Sequence, residues 1–389
     1  MKLLVILSRV PYPVEKGDKL RAYHQLRCLS ARHEIHLITL NDEPLDPDAE
    51  YELKKFCKSV HVMKLRPWGM ICNLLWAFFT GRPLQIGYFH RFYIKKEIRS
   101  LIAAIQPDHL YCQLARTAEY AIGIDIPKTI DYQDVFSIGL NRRLPELPFW
   151  KRPFFEMEAH RMAAYEEAVF NHFNHHTIIA YPDRNLLPFN GRDKVLIVPN
   201  GVDFSYFVPD NETEKRYDLV FTGNMSYPPN IMAVEFLVRK ILPVVWESRP
   251  STNLLIAGTT PHFKVRSLSE SRILVTGWLK DMRTAYSASR IFIAPMLIGT
   301  GLQNKLLEAM AMNLPCITSK LANEALVANP GEEVLVAENP TDYARHILTL
   351  LNDPGKARQI SENGFRFVKS HYDWEAATAL LAGLLENTN

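Results

Sequence analysis

Lys305 and Glu308 are a cation and an acid three positions apart in a run that is otherwise largely apolar, "LIGTGLQNKLLEAMAMNLPC" over residues 297–316. Gly299, Thr300 and Gly301 come first, then Leu302, Gln303 and Asn304. A glycine-containing turn that opens a helix is chemistry for an anion. The first amides of a helix have no intrahelical partner and carry the positive end of its dipole. A lysine in that first turn opposes the dipole, and a bound anion compensates it. Asn304 and Glu308 are i and i+4, and Lys305 and Glu308 are i and i+3, so the three side chains share one face. A carboxylate one turn past a phosphate site is placed to accept hydrogen bonds from a ribose diol, and burying it without partners is costly. The pattern points to a nucleotide site made by Thr300, Gly301, Leu302, Gln303, Asn304, Lys305 and Glu308. The plain alternative is a solvated Lys305–Glu308 pair.

Other segments offer chemistry at strand ends. "RVPYPVEKGDKLRAYHQL" (9–26) is a basic loop stiffened by Pro11 and Pro13. In it Gly17 stands before a helix, and Asp18 is a candidate N-cap. Gly17, with Lys16 or Lys19, could face a phosphate; a capped helix with a solvated basic face is the alternative. "TIDYQDVFS" (129–137) ends a strand at Asp134, where a carboxylate can accept a proton or orient a hydroxyl. A turn-capping role is the alternative for Asp134, and Asp131 is the neighbour that could replace it. "NHFNHHT" (171–177) invites a metal reading, but its spacing has no carboxylate or cysteine support, so no metal is expected. His109 reads as a packed or hydrogen-bonded residue at a strand start. The charges of "EMEAHRMAAYEEAVF" (156–170) read as a solvated helix face, although Arg161 or Glu166 could border a cleft.

The elements that must position these groups alternate strand and helix. In the first half, strands are expected at 3–8, 34–40, 59–65, 109–113, 128–133 and 176–181, with helices over about 19–31 and 154–171. The second half restarts at 195–203 and 217–224. A helix over 230–248 follows, then strands at 252–258, 273–278, 290–296 and 315–319. Strands spaced by helical patterns argue for parallel sheets covered on both faces. Two doubly wound domains in tandem follow, joined near residues 185–200, and in such sheets ligands sit beyond the carboxyl ends of the strands.

Bulk properties agree. A chain of 389 residues is too long for one ordinary core. A net charge of +3 excludes a dedicated nucleic-acid binder and suits an anionic small ligand or an acidic membrane surface. Five widely spaced cysteines read as reduced thiols in a cytosolic protein. "LLVILS" near the N-terminus reads as a buried strand rather than a signal peptide. "WGMICNLLWAFFTG" (68–81) falls short of the roughly 20 residues a spanning helix needs. It is either a core helix or an in-plane membrane contact beside Lys64, Arg66 and Arg82.

The motifs carry a resemblance. A strand, a glycine turn and "NKLLEAMAMNLPCITS" (304–319) resemble the donor-site motif of retaining glycosyltransferases of family 4, which have the GT-B fold. Of that family's two glutamates, the second matches Glu308. The first would fall at Thr300, and Asn313 replaces the usual glycine. "VPNGVD" (198–203) resembles the interdomain segment. "FTGNMSYPPN" (221–230), with Gly223 and Asn224, stands where many members carry a basic pair for the diphosphate; that pair is missing, and Lys305 is the residue that could supply its charge. "VTGWLKDM" (275–282), with Gly277, Trp278 and Leu279, resembles the turn whose backbone holds the base. "HYDWEAATALLAGLL" (371–385) resembles the last helix, which crosses back to the first domain. Gln133 and Asp134 stand where many members have a histidine and an aspartate. "SRVPYPVEKGDKLRAYHQL" and "GLQNKLLEAMA" are most similar to sugar transferases of exopolysaccharide and PEP-CTERM exosortase-associated gene clusters.

The resemblance implies an α/β, GT-B protein: two Rossmann-like domains facing a central cleft. An acceptor domain would cover 1–190, a nucleotide-sugar domain 191–368 and a crossing helix 369–389. It implies a cytoplasmic, metal-independent transferase without a cofactor, peripheral on the inner membrane. The sugar would pass from a nucleotide-diphosphate donor to a saccharide or lipid-linked acceptor. Glu308 would bind ribose. The amides from Thr300 to Gln303, with Lys305, would hold the diphosphate. Trp278 and Leu279 would flank the base. Lys16, Asp18 and Asp134 would serve the acceptor, with Asp134, Lys305 and Glu308 as the catalytic set. A non-catalytic nucleotide-sugar sensor and a GT-B sugar-nucleotide epimerase are the alternatives.

Overall fold

A computed structural model of the protein describes residues 1–14, 17–210, 212–299 and 301–386, apart from the side chains of Trp68 and Glu146. The chain divides into two compact units, Met1–Pro199 with Ala377–Asn389, and Asn200–Ala376.

The first unit is built on a parallel sheet of seven strands: β1 (Lys2–Leu7), β2 (Glu34–Asn41), β3 (Ser59–Lys64), β4 (His109–Gln113), β5 (Lys128–Asp131), β6 (His175–Ile178) and β7 (Leu196–Ile197). Their order is β3-β2-β1-β4-β5-β6-β7. The run "LLVIL" explains why β1 lies in the middle. Leu4 and Ile6 enter one core, while Leu3, Val5 and Leu7 enter another on the opposite face. Such a strand must be buried on both sides, as parallel sheets require. The last helix, Trp374–Glu386, contributes Leu381, Ala382 and Leu385 to the second of these cores.

The second unit repeats the plan with β8 (Tyr217–Thr222), β9 (Leu254–Ala257), β10 (Ile273–Gly277), β11 (Ser289–Ala294), β12 (Cys316–Ser319) and β13 (Leu335–Ala337). The order is β10-β9-β8-β11-β12-β13, again all parallel. Strand order reverses between β1 and β4 in one sheet and between β8 and β11 in the other. Chains leaving adjacent strands at such a point diverge and open a crevice at the carboxyl ends.

Several expected limits move, each for a physical reason. The first unit runs to Pro199 rather than residue 190, because β7 pairs with β6. The second keeps the chain to Ala376 rather than 368. Val202 N donates to Tyr372 O at 2.8 Å, and a Cβ on Gly201 would lie 2.6 Å from Trp374 N. β5 stops at Asp131, where Gln133 takes a left-handed φ of 59°. The helix expected over 230–248 is α over Pro228–Phe236, a π turn over Leu237–Ile241 and α again over Leu242–Ser248. Pro243 explains the wide turn, since it lacks an N–H and crowds the carbonyl four residues back.

Asp131, considered above as a substitute for Asp134, is a structural residue. It is fully buried and receives Arg21 Nε at 2.7 Å, Thr177 Oγ1 at 3.0 Å and Tyr111 OH at 3.1 Å. Asp134 is exposed, and its Oδ1 accepts from Val135 N at 2.8 Å. Removing one partner of a buried ion pair strands the other. Asp131→Ala is expected to cost about 3–5 kcal/mol of stability, whereas Asp134→Ala should stay within about 0.5 kcal/mol of wild type. Denaturant midpoints of the two variants check this, and equal midpoints would contradict it.

Candidate functional site

The second unit brings most of its sequence-expected residues to the crevice at β8 and β11. The chain leaves β8 through Gly223, whose φ is 146°. A Cβ there would lie 2.8 Å from Asn230 Nδ2 and 3.6 Å from Lys305 Cε. Only glycine leaves room for the lysine and the asparagine together. At Gly258, just after β9, the φ is 152° and a Cβ would meet Gly223 O at 1.6 Å, so the two strand ends are pressed backbone to backbone.

Asn224 forms the turn that follows. Its Oδ1 accepts from Ser226 N at 2.9 Å, and its carbonyl accepts from Asn230 Nδ2 at 2.8 Å. That fixes the Asn230 amide with its oxygen toward the crevice. There it accepts from Lys305 Nζ at 2.5 Å. Lys305 Nζ also lies 3.8 Å from Met296 Sδ and 5.0 Å from the centre of the Phe221 ring. These neighbours are neutral, and burial pushes the Lys305 ammonium down to about 7.

Lys305 and Glu308 belong to the helix Asn304–Ala311, which buries Leu306, Leu307, Ala309, Met310 and Ala311 beneath them. The two side chains turn to different partners rather than forming the plain pair considered above. Glu308 Oε2 accepts from Tyr286 OH at 2.7 Å, and Tyr286 OH is 2.8 Å from Thr222 Oγ1 at the end of β8. Thr222 and Tyr286 are themselves buried, so this relay fixes the carboxylate. Burial pushes the Glu308 carboxyl up to about 7, against the Tyr286 hydrogen bond and the Lys305 charge. Both groups retain partial solvent access, so a ligand can reach them.

The helix entrance has no side-chain cap. Gln303 is the N-cap residue, and its Nε2 donates instead to Gly301 O at 2.9 Å. Leu302 packs against the core. Asn304 Oδ1 accepts from Asn200 Nδ2 at 3.1 Å, which ties the "VPNG" turn to the helix start. Thr300 lies outside the described residues. At the end of β10, Gly277 has a φ of 73° and its carbonyl accepts from Gly258 N at 3.0 Å. Trp278 is 59% exposed, while Leu279 packs on the core.

In the first unit, Asp18 is held by Arg9 Nη1 at 3.1 Å and Lys19 Nζ lies 3.6 Å from Glu43. A Cβ on Gly17 would meet open space. Lys16 lies outside the described residues. Of the histidines of "NHFNHHT", His172 is exposed, His176 bonds to Phe170 O at 2.9 Å, and His175 stacks with His109, whose Nε2 is 2.8 Å from Thr129 Oγ1. Among the described residues, no group of three or more His, Cys, Asp or Glu is placed to hold a metal. Glu166 caps the helix Phe136–Arg143, accepting from Ser137 Oγ at 2.6 Å and Phe136 N at 2.8 Å. Sequence reasoning missed Asn230, Tyr286 and Thr222. Nothing in their spacing marks them, since Asn230 and Lys305 are 75 residues apart.

Residues 216–353 match the family described as Glycosyl transferases group 1. A protein of 44.6 kDa in the cps region of Klebsiella pneumoniae is 24% identical over 391 residues, covering 96% of each chain. The fold is similar to that of sucrose-phosphate synthase from Thermosynechococcus elongatus (TM-score 0.72, 15% identity, 99% of this chain and 98% of that one). It is also similar to Anabaena Alr3699/HepE, solved in complex with UDP and glucose (TM-score 0.70, 13% identity, 99% of each chain). The family match thus lies within the second unit, and the chain has the GT-B fold.

Tyr286→Phe removes the donor that orients Glu308 and leaves the protein otherwise packed. A hydrogen bond to a charged group is worth about 1.5–3 kcal/mol. The variant is expected to lose stability on that scale near pH 8, where Glu308 is ionised, and less near pH 5. An equal loss at both pH values would show that the hydroxyl does not serve the carboxylate.

Proposed function

We propose that this protein transfers a sugar from a nucleotide-diphosphate sugar, with retention, to a saccharide or lipid-linked acceptor in cell-surface polysaccharide synthesis. The observation that carries the reading is the crevice between β8 and β11. It sets one lysine against neutral partners and one oriented carboxylate a helical turn further on. A lysine held by an amide oxygen, with uncapped helix amides beside it, suits the two phosphates of such a donor. A carboxylate fixed through one oxygen suits a ribose diol. HepE, which binds UDP and glucose, supports a nucleotide-sugar donor, and the relative in the capsule (cps) region supports the pathway class.

In the reaction, the bond between the anomeric carbon and the diphosphate oxygen breaks and one to an acceptor hydroxyl oxygen forms. The charge that develops on the leaving diphosphate falls on Lys305 and the amides of Asn304 and Lys305. The acceptor proton needs a base or solvent, and Asp134 is the residue assigned to position or accept it. Lys16 and Asp18 complete the acceptor side, and Gly17 is assigned to the donor. Trp278 and Leu279 flank the base, and Gly223, Asn224 and Gly277 shape the donor loops. This chemistry uses a helix end and a lysine in place of a metal, and we place it at the cytoplasmic face of the membrane.

The test is nucleotide release from UDP-, GDP- and ADP-sugars, with and without membrane lipid extract. Release that needs the extract and falls at least about tenfold in Glu308→Gln and Lys305→Met is expected, the loss that follows from removing one charged hydrogen bond. Saturable binding without release under any condition would contradict transfer.

Donor affinity carries a pH signature. Anion binding favours protonated Lys305, which in the free protein loses its proton above about 7. Ribose binding favours ionised Glu308, which gains a proton below about 7. Affinity for a nucleotide sugar is therefore expected to peak near pH 7 and fall on both sides. Lys305→Met should abolish the alkaline fall and Glu308→Gln the acid one, measured by calorimetric titration. A flat profile in the wild type would contradict the assignment of both groups.

A further inference from the structure

The first unit turns an apolar helix face to solvent. Helix Met70–Phe79, "MICNLLWAFF", buries Asn73 and Ala77 and exposes Ile71, Leu75, Phe78 and Phe79, the last at 80%. Those four fall at i, i+4, i+7 and i+8, a single face. An ordinary surface helix has the opposite polarity, apolar inward and polar outward.

The inner face leaves the helix no freedom to roll. Asn73 Nδ2 donates to His90 O at 2.8 Å, and a Cβ on Gly87 would lie 2.6 Å from Ala77 Cβ, so the following helix is in close contact. The apolar face is a fixed outward feature of the unit.

A second apolar group lies beside it. The Arg161 guanidinium sits 5.0 Å from the centre of the Phe78 ring, which places helix Arg152–Phe170 next to the first. Two turns before Arg161 on the same side stands exposed Phe154, and Phe149 (81% exposed) and Trp150 (66%) precede that helix. Cations frame both groups. Lys64, Arg66 and Arg82 bracket the first helix, with no acid anywhere between residues 64 and 82. Arg82 is matched by Glu119 at 3.0 Å, but Lys64 and Arg66 are exposed, as is Lys151, which lies 4.8 Å from the Trp150 ring.

Fixed aliphatic and aromatic side chains rimmed by exposed lysine and arginine match the surface of an anionic bilayer. The helix is too short to cross one: ten residues span about 15 Å. No described helix is long and apolar enough to do so.

We infer that this face docks on an anionic lipid bilayer. The helix Met70–Phe79 lies in the interface plane, with Ile71, Leu75, Phe78 and Phe79 at the acyl boundary and Lys64, Arg66 and Lys151 against headgroup phosphates. The inference deepens the acceptor side of the proposed function by naming the surface that meets the membrane. Its evidence lies wholly in the first unit, so it stands or falls apart from the donor site.

The test is sedimentation of the full chain with vesicles of phosphatidylethanolamine and phosphatidylglycerol, against vesicles of phosphatidylcholine alone. Preferential, salt-sensitive binding to the anionic vesicles is expected. The double variant Leu75→Ser/Phe79→Ser should weaken it at least about tenfold, since two exposed apolar side chains leave the lipid. Lys151→Ser should weaken binding to the anionic vesicles alone. Both variants alter exposed positions, so their melting temperatures and nucleotide affinity should match wild type, which separates lost docking from lost folding. No vesicle binding by the wild type, or equal binding by the double variant, would overturn the inference. So would a concentration-dependent dimer in light scattering that the double variant abolishes while vesicles are ignored. Vesicle binding that persists while every nucleotide sugar is ignored would sink the donor reading and leave this one standing.

Discussion

A lysine and a glutamate on one helix have to be desolvated in the same crevice, and the second unit is organised around making that tolerable. Neither is neutralised by a close ion pair with the other. Lys305 is steadied by the Asn230 amide oxygen and Glu308 by the Tyr286 hydroxyl. Neutral partners lower the cost of burial without cancelling the charge. The surrounding features follow from this arrangement. Gly223 is small so that Asn230 and Lys305 can meet, and Gly258 is small so that the loop bearing Gly223 can approach β9. The reversal of strand order at β8 and β11 supplies the space.

The loop after β8, "FTGNMSYPPN", presents the Asn230 amide oxygen, and the cation that meets it comes from the helix after β11. One lysine thus belongs structurally to both strand ends. For a diphosphate ligand, that places the positive charge and the open helix amides on the same element, so that the ligand and the helix dipole act in one direction.

The alternation of apolar strands and amphipathic helices made the two parallel sheets legible, because a strand such as "LLVIL" has no other use than burial on both faces. The helix bearing Lys305 and Glu308 was legible for the same reason: two charges stood out against an apolar body. What escaped was long-range partnership. Asn230 and Tyr286 look like ordinary loop and helix residues until folding brings them to Lys305 and Glu308. The same limit made Asp131 and Asp134 look interchangeable. The first is locked by Arg21, 110 positions away, and the second is exposed to solvent. Local misses came from Pro243, which widens a helix turn, and from β7, whose two residues carry no period of their own. The stretch 68–81 was ambiguous because composition alone does not say which face of a helix is covered. With Asn73 and Ala77 inside and Ile71, Leu75, Phe78 and Phe79 outside, the stretch is not a fully buried core helix.

That the crevice at β8 and β11 holds a nucleotide-diphosphate sugar is the proposal on which the function rests. It is tested most directly by determining the structure of the protein with such a donor bound. Ribose hydroxyls are expected within hydrogen-bond distance of Glu308, and diphosphate oxygens on Lys305 Nζ and the amides at the start of the helix Asn304–Ala311. A donor seated elsewhere, with Lys305 still on Asn230 and Glu308 untouched, would contradict it.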